Sequence, residues 1–466
     1  MEFVLKNVGL IKDSTIKLNG LTVITGSNNS GKSTIGKALY ATIEGFCDLE
    51  IKRENELKLY FSKTYFEACR ILDLENIIKY IDLSHFDKDI VETMHQIADF
   101  GLIRKDKFDV FEEIERFIRV LEILDPEKLD VYKLKSEMPK RFYAYLGNLN
   151  ESRDKAYKII LKIKDFIQEK TLDDYAKDSV LNLLKSEFKG QIYPVNQTKT
   201  DKKSKISLFK NGEIGCDFTI KEDKLIINQG KILNKMFVNN VFLIDDPYLV
   251  DNMMQSQQPL YFPSYRKENR SNHKNKLLYA LSSASTDSLV EKSINEKQYF
   301  DIMQKINLIL PGHISQKDGA FYYTEDNKKP IRIENLATGS KLFIIISELI
   351  RKGYLNLDTM LILDEPESHL HPEWQNIMAE IVVLLVKELN VNVLLTTHST
   401  NFVLAIETYM RKYGIKDFTN FYMTEYLDDG STKYNDLNGK IDAIYSDFIR
   451  SFSLMKAERA KFVDED

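Results

Sequence analysis

The sequence predicts an α/β fold built around a phosphate-binding loop, with an antiparallel β subdomain and a helical insertion. Three observations carry this. Leu21–Thr25 is an apolar run that leads through glycine into Ile35, Leu39 and Ile43, which are spaced as on a helix. From about Leu49 to Lys189 glycine nearly vanishes, and apolar and charged residues alternate at helical period. Beyond Leu336, helix-like and strand-like runs alternate again.

Composition narrows the class. The chain has 466 residues, 43% apolar and 29% charged, with 19 Gly and 10 Pro. These values exclude collagen-like, disordered and disulfide-scaffold proteins. The longest aliphatic run, Ile381–Val386, falls far short of a membrane helix of ~20 residues, so no membrane association is expected. Met1–Lys6 lacks the layout of a secretion signal. Cys47, Cys69 and Cys216 show no CxxC spacing, which points to neither a disulfide framework nor a zinc site. A cytoplasmic protein is expected. A net charge of −5 argues against a simple DNA-coating protein but leaves a local basic groove open.

Taken in order, residues 1–48 read as the first part of a lobe, with short extended segments at Phe3–Leu5 and Ile16–Leu18. Residues 49–189 read as the insertion: five to seven helices broken near Ser84, Gly101, Pro126 and Gly147. Asp109–Leu124 and Asp154–Lys170 are its clearest amphipathic stretches, and no heptad is sustained. A lid or spacer without chemistry is the plain reading of this part. Residues 190–276 read as strands, with a hairpin signal at Asn211-Gly212. Residues 277–455 read as helix, a hairpin over 319–333 turning near Asn327, and an α/β lobe; 456–466 read as a frayed tail. Within that lobe the spacing predicts helices over 341–352 and 372–389 and strands over 359–363 and 391–396.

Gly26-Ser27-Asn28-Asn29-Ser30-Gly31-Lys32-Ser33, with Thr34 beyond it, matches G-x-x-x-x-G-K-[ST]. Glycines let such a loop turn its N–H groups onto phosphates, the Lys reaches the outer phosphates, and the Ser hydroxyl takes a Mg²⁺ coordination site. A chance match is expected in roughly one chain of this length in fifty, and here the loop also stands between a strand and a helix. ATP and Mg²⁺ are therefore the expected ligands. Met360–Asp364 is an apolar strand whose terminal Asp364 can join the Mg²⁺ shell. Glu365 is placed to act as general base on the attacking water. A second strand ends at His398, expected to sense the γ-phosphate. Leu336-Ala337-Thr338-Gly339-Ser340-Lys341 is a small-residue turn before a helix, hence an anion site. Because Lys32 already serves the phosphates in cis, this turn is expected to serve a nucleotide on another subunit.

This order of motifs resembles the ABC-type ATPase heads of the SMC-like, RecF-like and overcoming-lysogenization-defect (OLD) class, over about 1–48 and 190–455. The resemblance implies a P-loop NTPase with an ABC-type ATPase core. Asp364-Glu-Pro-Glu-Ser-His-Leu-His371-Pro372 resembles the Walker B and D-loop of the OLD and RecF-like branch, which makes Ser368, His369 and His371 D-loop residues. Tyr261–Arg266 resembles the segment near the Q-loop. The chain departs from the pattern in three ways. Ala337 replaces the usual signature Ser, so a hydroxyl reaching across must come from Thr338 or Ser340. No clear Q-loop Gln is present, although Gln257 and Gln258 lie nearby. The 68 residues after His398 show no separate Glu and Asp-x-Asp strand-end pair, so no Toprim nuclease is expected in this chain.

The resemblance implies a homodimer or higher homo-oligomer in which ATP drives a switch. The switch would control a separately encoded effector, such as a Toprim-type nuclease or toxin in anti-phage defence. A RecF- or SMC-like repair ATPase that contacts DNA directly is the alternative, and a transporter ATPase is disfavoured. The basic stretches Lys199–Lys210 and Arg266–Lys276 read either as solvated loops or as contacts to a phosphate backbone.

Overall fold

The computed structural model describes residues 1–80, 88–98, 110–124, 148–169, 171–194, 203–228, 238–257, 272–283, 299–318, 320–437 and 440–461. The chain forms two compact units: Met1–Cys47 with Ala176–Asp466, and Asp48–Tyr175.

The first unit is built on an eleven-stranded sheet among the described residues. Its strands are β1 (Glu2–Val8), β2 (Ile11–Lys17), β3 (Leu21–Thr25), β4 (Lys203–Lys210), β5 (Glu213–Lys221), β6 (Lys224–Ile227), β7 (Asn240–Ile244), β11 (Thr359–Asp364), β12 (Asn392–Thr397), β13 (Thr419–Tyr426) and β14 (Thr432–Asp436). Their order is β6-β5-β4-β1-β2-β14-β13-β3-β12-β11-β7. The half from β13 to β7 is parallel, whereas β6 to β2 is antiparallel. The unbroken apolar runs of β3, β11 and β12 follow from this position, since a parallel strand covered on both faces has no solvent side to keep polar. On one face lies α1 (Lys32–Phe46), where Gly36 lets the helix approach: a Cβ there would stand 3.0 Å from Ile362 Cγ2. A large core joins Leu361, Leu363 and Leu395 to Phe343, Ile381, Leu385 and Phe402.

Asn211 and Gly212 both take positive φ (52° and 82°), the two-residue turn whose twist matches an antiparallel β4–β5 pair. The 319–333 hairpin proves to be part of a three-stranded sheet, β8 (His313–Lys317), β9 (Ala320–Thr324) and β10 (Ile331–Arg332). Strand β8 has no buried residue and so no alternation to announce it.

The second unit is helical: α2 (Leu49–Leu72), α3 (Leu74–Tyr80), α4 (Lys88–Ala98), α5 (Val110–Ile123) and α6 (Leu149–Glu169). In its core the Phe61 and Tyr65 rings meet at a tilt (4.9 Å between ring centres) and Tyr65 meets Phe117 edge-on (5.0 Å). Ser84, Gly101, Pro126 and Gly147 lie outside the described residues.

The remaining helices belong to the first unit. The first of them, α7 (Leu172–Glu187), joins it from Ala176 onward, because Gly45 of α1 leaves room for Val180. It is followed by α8 (His273–Ser282), α9 (Phe300–Ile309), α10 (Thr338–Arg351), α11 (Pro372–Leu389), α12 (Thr400–Lys412) and α13 (Asp442–Ala460). Lys456–Ala460 thus continue α13 where a tail is expected from sequence. Good helix formers (Lys456, Ala457, Glu458, Arg459) explain the extension. No helix among the described residues is long and apolar enough to cross a membrane.

Candidate functional site

The site sits at the carboxyl ends of three neighbouring strands. In register, Asp364 of β11 stands beside Thr396 of β12, which stands beside Ile24 of β3; Thr397 and Thr25 form the next row. Beyond Thr25 the chain turns through Gly26 (φ 151°), Asn29 (φ 60°) and Gly31 (φ 84°) into α1. No side chain caps α1; the Thr34 N–H donates to Gly31 O (3.0 Å), and the amides of Lys32 and Ser33, with the helix dipole, suit an anion. Lys32 is only 4% exposed, and its Nζ donates to the carbonyls of Gly26 (3.1 Å) and Ser27 (2.8 Å). Ser27, Asn28 and Asn29 are exposed, Ser30 is buried, and Ser33 and Thr34 are half-buried at the start of α1.

Asp364 Oδ1 accepts a hydrogen bond from Thr396 Oγ1. Glu365 follows in a left-handed conformation (φ 50°), held by its N–H donating to Thr396 O (3.1 Å). Such a φ is uncommon for a residue with a Cβ and is maintained here by the neighbouring strand. Glu365 Oε1 lies 3.8 Å from Lys32 Nζ and 3.3 Å from His398 Nδ1. The loop from Gly26, the end of β11 and the end of β12 thus converge on one carboxylate.

Glu367, given no role by sequence reasoning, is 3% exposed. Its Oε1 accepts from Thr397 Oγ1 (2.5 Å) and from the His398 N–H (3.1 Å), while its Oε2 is buried without a partner. Burial raises its pKa above the usual carboxyl range, against the opposing pull of the Thr397 hydroxyl. The second glutamate of Asp-Glu-Pro-Glu is its only signal in the sequence.

The signature turn opens α10, with Ala337 at the N-cap and no side-chain cap. Gly339 presses on the D-loop, where a Cβ would stand 3.1 Å from His369 O. Thr338 Oγ1 donates to Tyr248 OH (2.8 Å), and the Tyr248 ring meets His369 edge-on at 6.2 Å. Ser340 is buried. Lys341 is 2% exposed, and its ammonium is bound by Asp251 (2.6 and 2.8 Å) and Glu334 O (3.2 Å), so its side chain anchors the helix. In the D-loop, the Ser368 N–H donates to Glu365 O (3.0 Å), and His369 is exposed with φ 68°. His371 caps α11, accepting from the Glu373 N–H at 3.5 Å.

A second group that sequence reasoning misses comes from the β13–β14 hairpin. Thr424 Oγ1 donates to Ser30 Oγ (2.8 Å), Tyr426 OH to Asn28 O (3.2 Å) and Tyr434 OH to Gly31 O (2.6 Å). No motif marks these residues; only the fold brings them to the loop.

Of the basic stretches, Lys274 pairs with Asp246 (2.9 Å), Lys276 with Glu44 (2.6 Å) and Lys205 with Asp217 (3.1 Å), which reduces the charge they can offer to a polyanion. Gln257 ends a 3-10 helix, Pro247–Gln257. Gln258, 261–266, 199–202 and 267–271 lie outside the described residues.

Solved structures similar to this chain include SMC heads. The SMC head domain from Thermotoga maritima is 10% identical, with TM-score 0.34, covering 93% of this chain and 97% of that one. An SMC head bound to the C-winged helix domain of ScpA is 11% identical, with TM-score 0.38 and coverage of 94% and 96%. An Smc head with an extended coiled coil, bound to the C-terminal domain of ScpA and derived from Pyrococcus furiosus, is 11% identical, with TM-score 0.32 and coverage of 96% and 98%. No curated protein matches the sequence. The profile of the AAA ATPase domain matches residues 1–403, which include the phosphate loop, Asp364, Glu365 and His398. With its α/β sheet and strand–loop–helix phosphate site, the chain is a P-loop NTPase and belongs to the AAA ATPase domain family.

Proposed function

We propose that this protein is an ABC-type ATPase that binds and hydrolyses Mg²⁺·ATP at an interface between two copies and acts as a nucleotide-driven switch for a separate effector. The observation that carries the reading is the convergence of Lys32 and His398 on Glu365 Oε1, at 3.8 and 3.3 Å.

The chemistry follows from the residues. The uncapped start of α1 and the buried Lys32 ammonium suit a polyphosphate, and an anion there gains charge-assisted hydrogen bonds. Ser33 and Asp364 are the residues that would hold Mg²⁺. That ion neutralises charge on the outer phosphates. Glu365 accepts a proton from the attacking water, and His398 orients Glu365 and contacts the γ-phosphate. Glu367 fixes the backbone of His398, and Thr397 steadies Glu367 in turn. The amides of Thr338 and Gly339 face the second copy's nucleotide, while the Thr338 hydroxyl donates to Tyr248. Tyr248 and the D-loop support that turn from behind.

The switch role rests on a helical unit, Asp48–Tyr175, inserted in the chain between the phosphate loop and the rest of the lobe. A defence role, with a toxic nuclease as effector, is the form of switch the motif order supports best. Direct DNA binding is the weaker reading, since Lys205, Lys274 and Lys276 are paired with carboxylates. The test is the mass in solution of Glu365→Gln with and without Mg²⁺·ATP. Dimers that form only with ATP support the composite site, and a mass unaffected by ATP contradicts it. Duplex DNA should leave wild-type hydrolysis unchanged.

A further inference from the structure

We propose that the β13–β14 hairpin is a built part of the phosphate site, and that Tyr434 and Thr424 are positioning residues that set the shape of the phosphate loop and hence the affinity for ATP. The inference rests on the ATP-binding reading and adds residues that lie beyond the family match, which ends at 403.

Three side chains of one hairpin bond three successive parts of the loop. Tyr426 holds the carbonyl of Asn28, Thr424 holds the hydroxyl of Ser30, and Tyr434 holds the carbonyl of Gly31. The fit is close. A Cβ on Gly26 would stand 1.8 Å from Thr424 Oγ1, so glycine is required there by the hairpin as well as by its φ of 151°. The hairpin is itself anchored. Strand β13 pairs with β3 from Thr419↔Leu21 to Met423↔Thr25, so both enter the loop region in one register. On the other side, the Thr432 N–H donates to Leu10 O (2.8 Å) and the Tyr434 N–H to Ser14 Oγ (3.0 Å). The bond to Gly31 fixes the residue that ends the loop and begins α1, and the direction of the first helical amides depends on it. A loop shaped in advance loses little binding energy to ordering.

Removing one neutral hydrogen bond should therefore weaken ATP binding by about 3–10-fold without touching any phosphate contact. The experiment measures the Kd of Mg²⁺·ATP, KM, kcat and the nucleotide-free melting temperature for wild type, Tyr434→Phe, Thr424→Val and Thr424→Ser. Tyr445→Phe, which removes a hydroxyl that donates to Glu407, is the control. The expected result is a raised Kd for Tyr434→Phe and for Thr424→Val, with KM rising in step and by more than kcat falls. Thr424→Ser keeps wild-type affinity, and so does Tyr445→Phe. Wild-type Kd in both Tyr434→Phe and Thr424→Val overturns the proposal, as does a Thr424→Ser protein that binds as weakly as Thr424→Val. If Tyr434→Phe fails to fold, the comparison of Thr424→Val with Thr424→Ser decides alone. A wild type that binds no ATP sinks the ATP reading together with this one, whereas a binding wild type with unaffected variants sinks this one only.

Discussion

His398 Nδ1 lies 3.3 Å from Glu365 Oε1, and the backbone of the same histidine is held by Glu367 at 3.1 Å. The end of β12 is thereby fixed between the two glutamates of Asp-Glu-Pro-Glu. On the proposed reading, a histidine so held would orient Glu365 and meet the γ-phosphate without reorganising in the transition state.

His398→Ala should therefore lower kcat by about 10²-fold, the scale of one lost transition-state contact, while ATP affinity stays within about threefold. Steady-state phosphate release and calorimetric ATP binding check both halves. A His398→Ala protein with wild-type kcat removes the histidine from the reaction.

Lys32→Ala should raise the Kd for Mg²⁺·ATP by about 10²-fold or more, on the order of one charge-assisted contact and its charge. The nucleotide-free fold should survive with somewhat lower stability, because the Gly26 and Ser27 carbonyls and Glu365 lose their ammonium partner. Titration calorimetry with far-UV circular dichroism separates lost binding from lost fold.

Gly339→Asp places a side chain 3.1 Å from His369 O and a negative charge at the start of α10, and should abolish hydrolysis by closing that turn to an anion. Mixed with Lys32→Ala under subunit exchange, it should regain part of the activity. Both lesions then fall in one pocket and leave the other intact. Confirmed exchange without recovered activity, together with an ATP-dependent dimer that survives Gly339→Asp, would show that the turn is only a helix start.

Stability should depend on pH through His273. Burial opposes its charge, but hydrogen bonds to Asp245 (2.8 Å) and Glu187 (2.7 Å) prevail and raise its pKa to about 9 from 6.5. The folded form binds this proton more tightly than the unfolded one. Its contribution is full below pH 6.5 and is lost as pH rises through about 9. Urea midpoints measured from about pH 6 to about pH 9.5 should fall in wild type and stay flatter in His273→Gln.

The loop from Gly26 to Ser33, the strand that ends at Asp364 and the strand before His398 are legible in the sequence because each is a local arrangement: a strand, a terminal residue and the turn after it. The partner of Lys341 is not legible in the same way, since only the fold brings Asp251 to it. Glu367 is visible in the run but has no partner until β12 is placed beside β11. Tyr434 and Thr424 stand about four hundred residues from the loop they bond, and a tyrosine or threonine in a strand carries no sign of it. Sequence periodicity runs the helical insertion to Lys189, whereas the compact helical unit is Asp48–Tyr175, because α7 keeps its helical period across the point where the two units divide.

The central claim is that this site hydrolyses ATP with Glu365 as base, and single-turnover phosphate release from pre-bound Mg²⁺·ATP tests it most directly. Glu365→Gln retains shape and hydrogen bonding but cannot take the proton, so release should slow by about 10²–10⁴-fold while ATP stays bound. Release at the wild-type rate from the Gln variant would contradict the account.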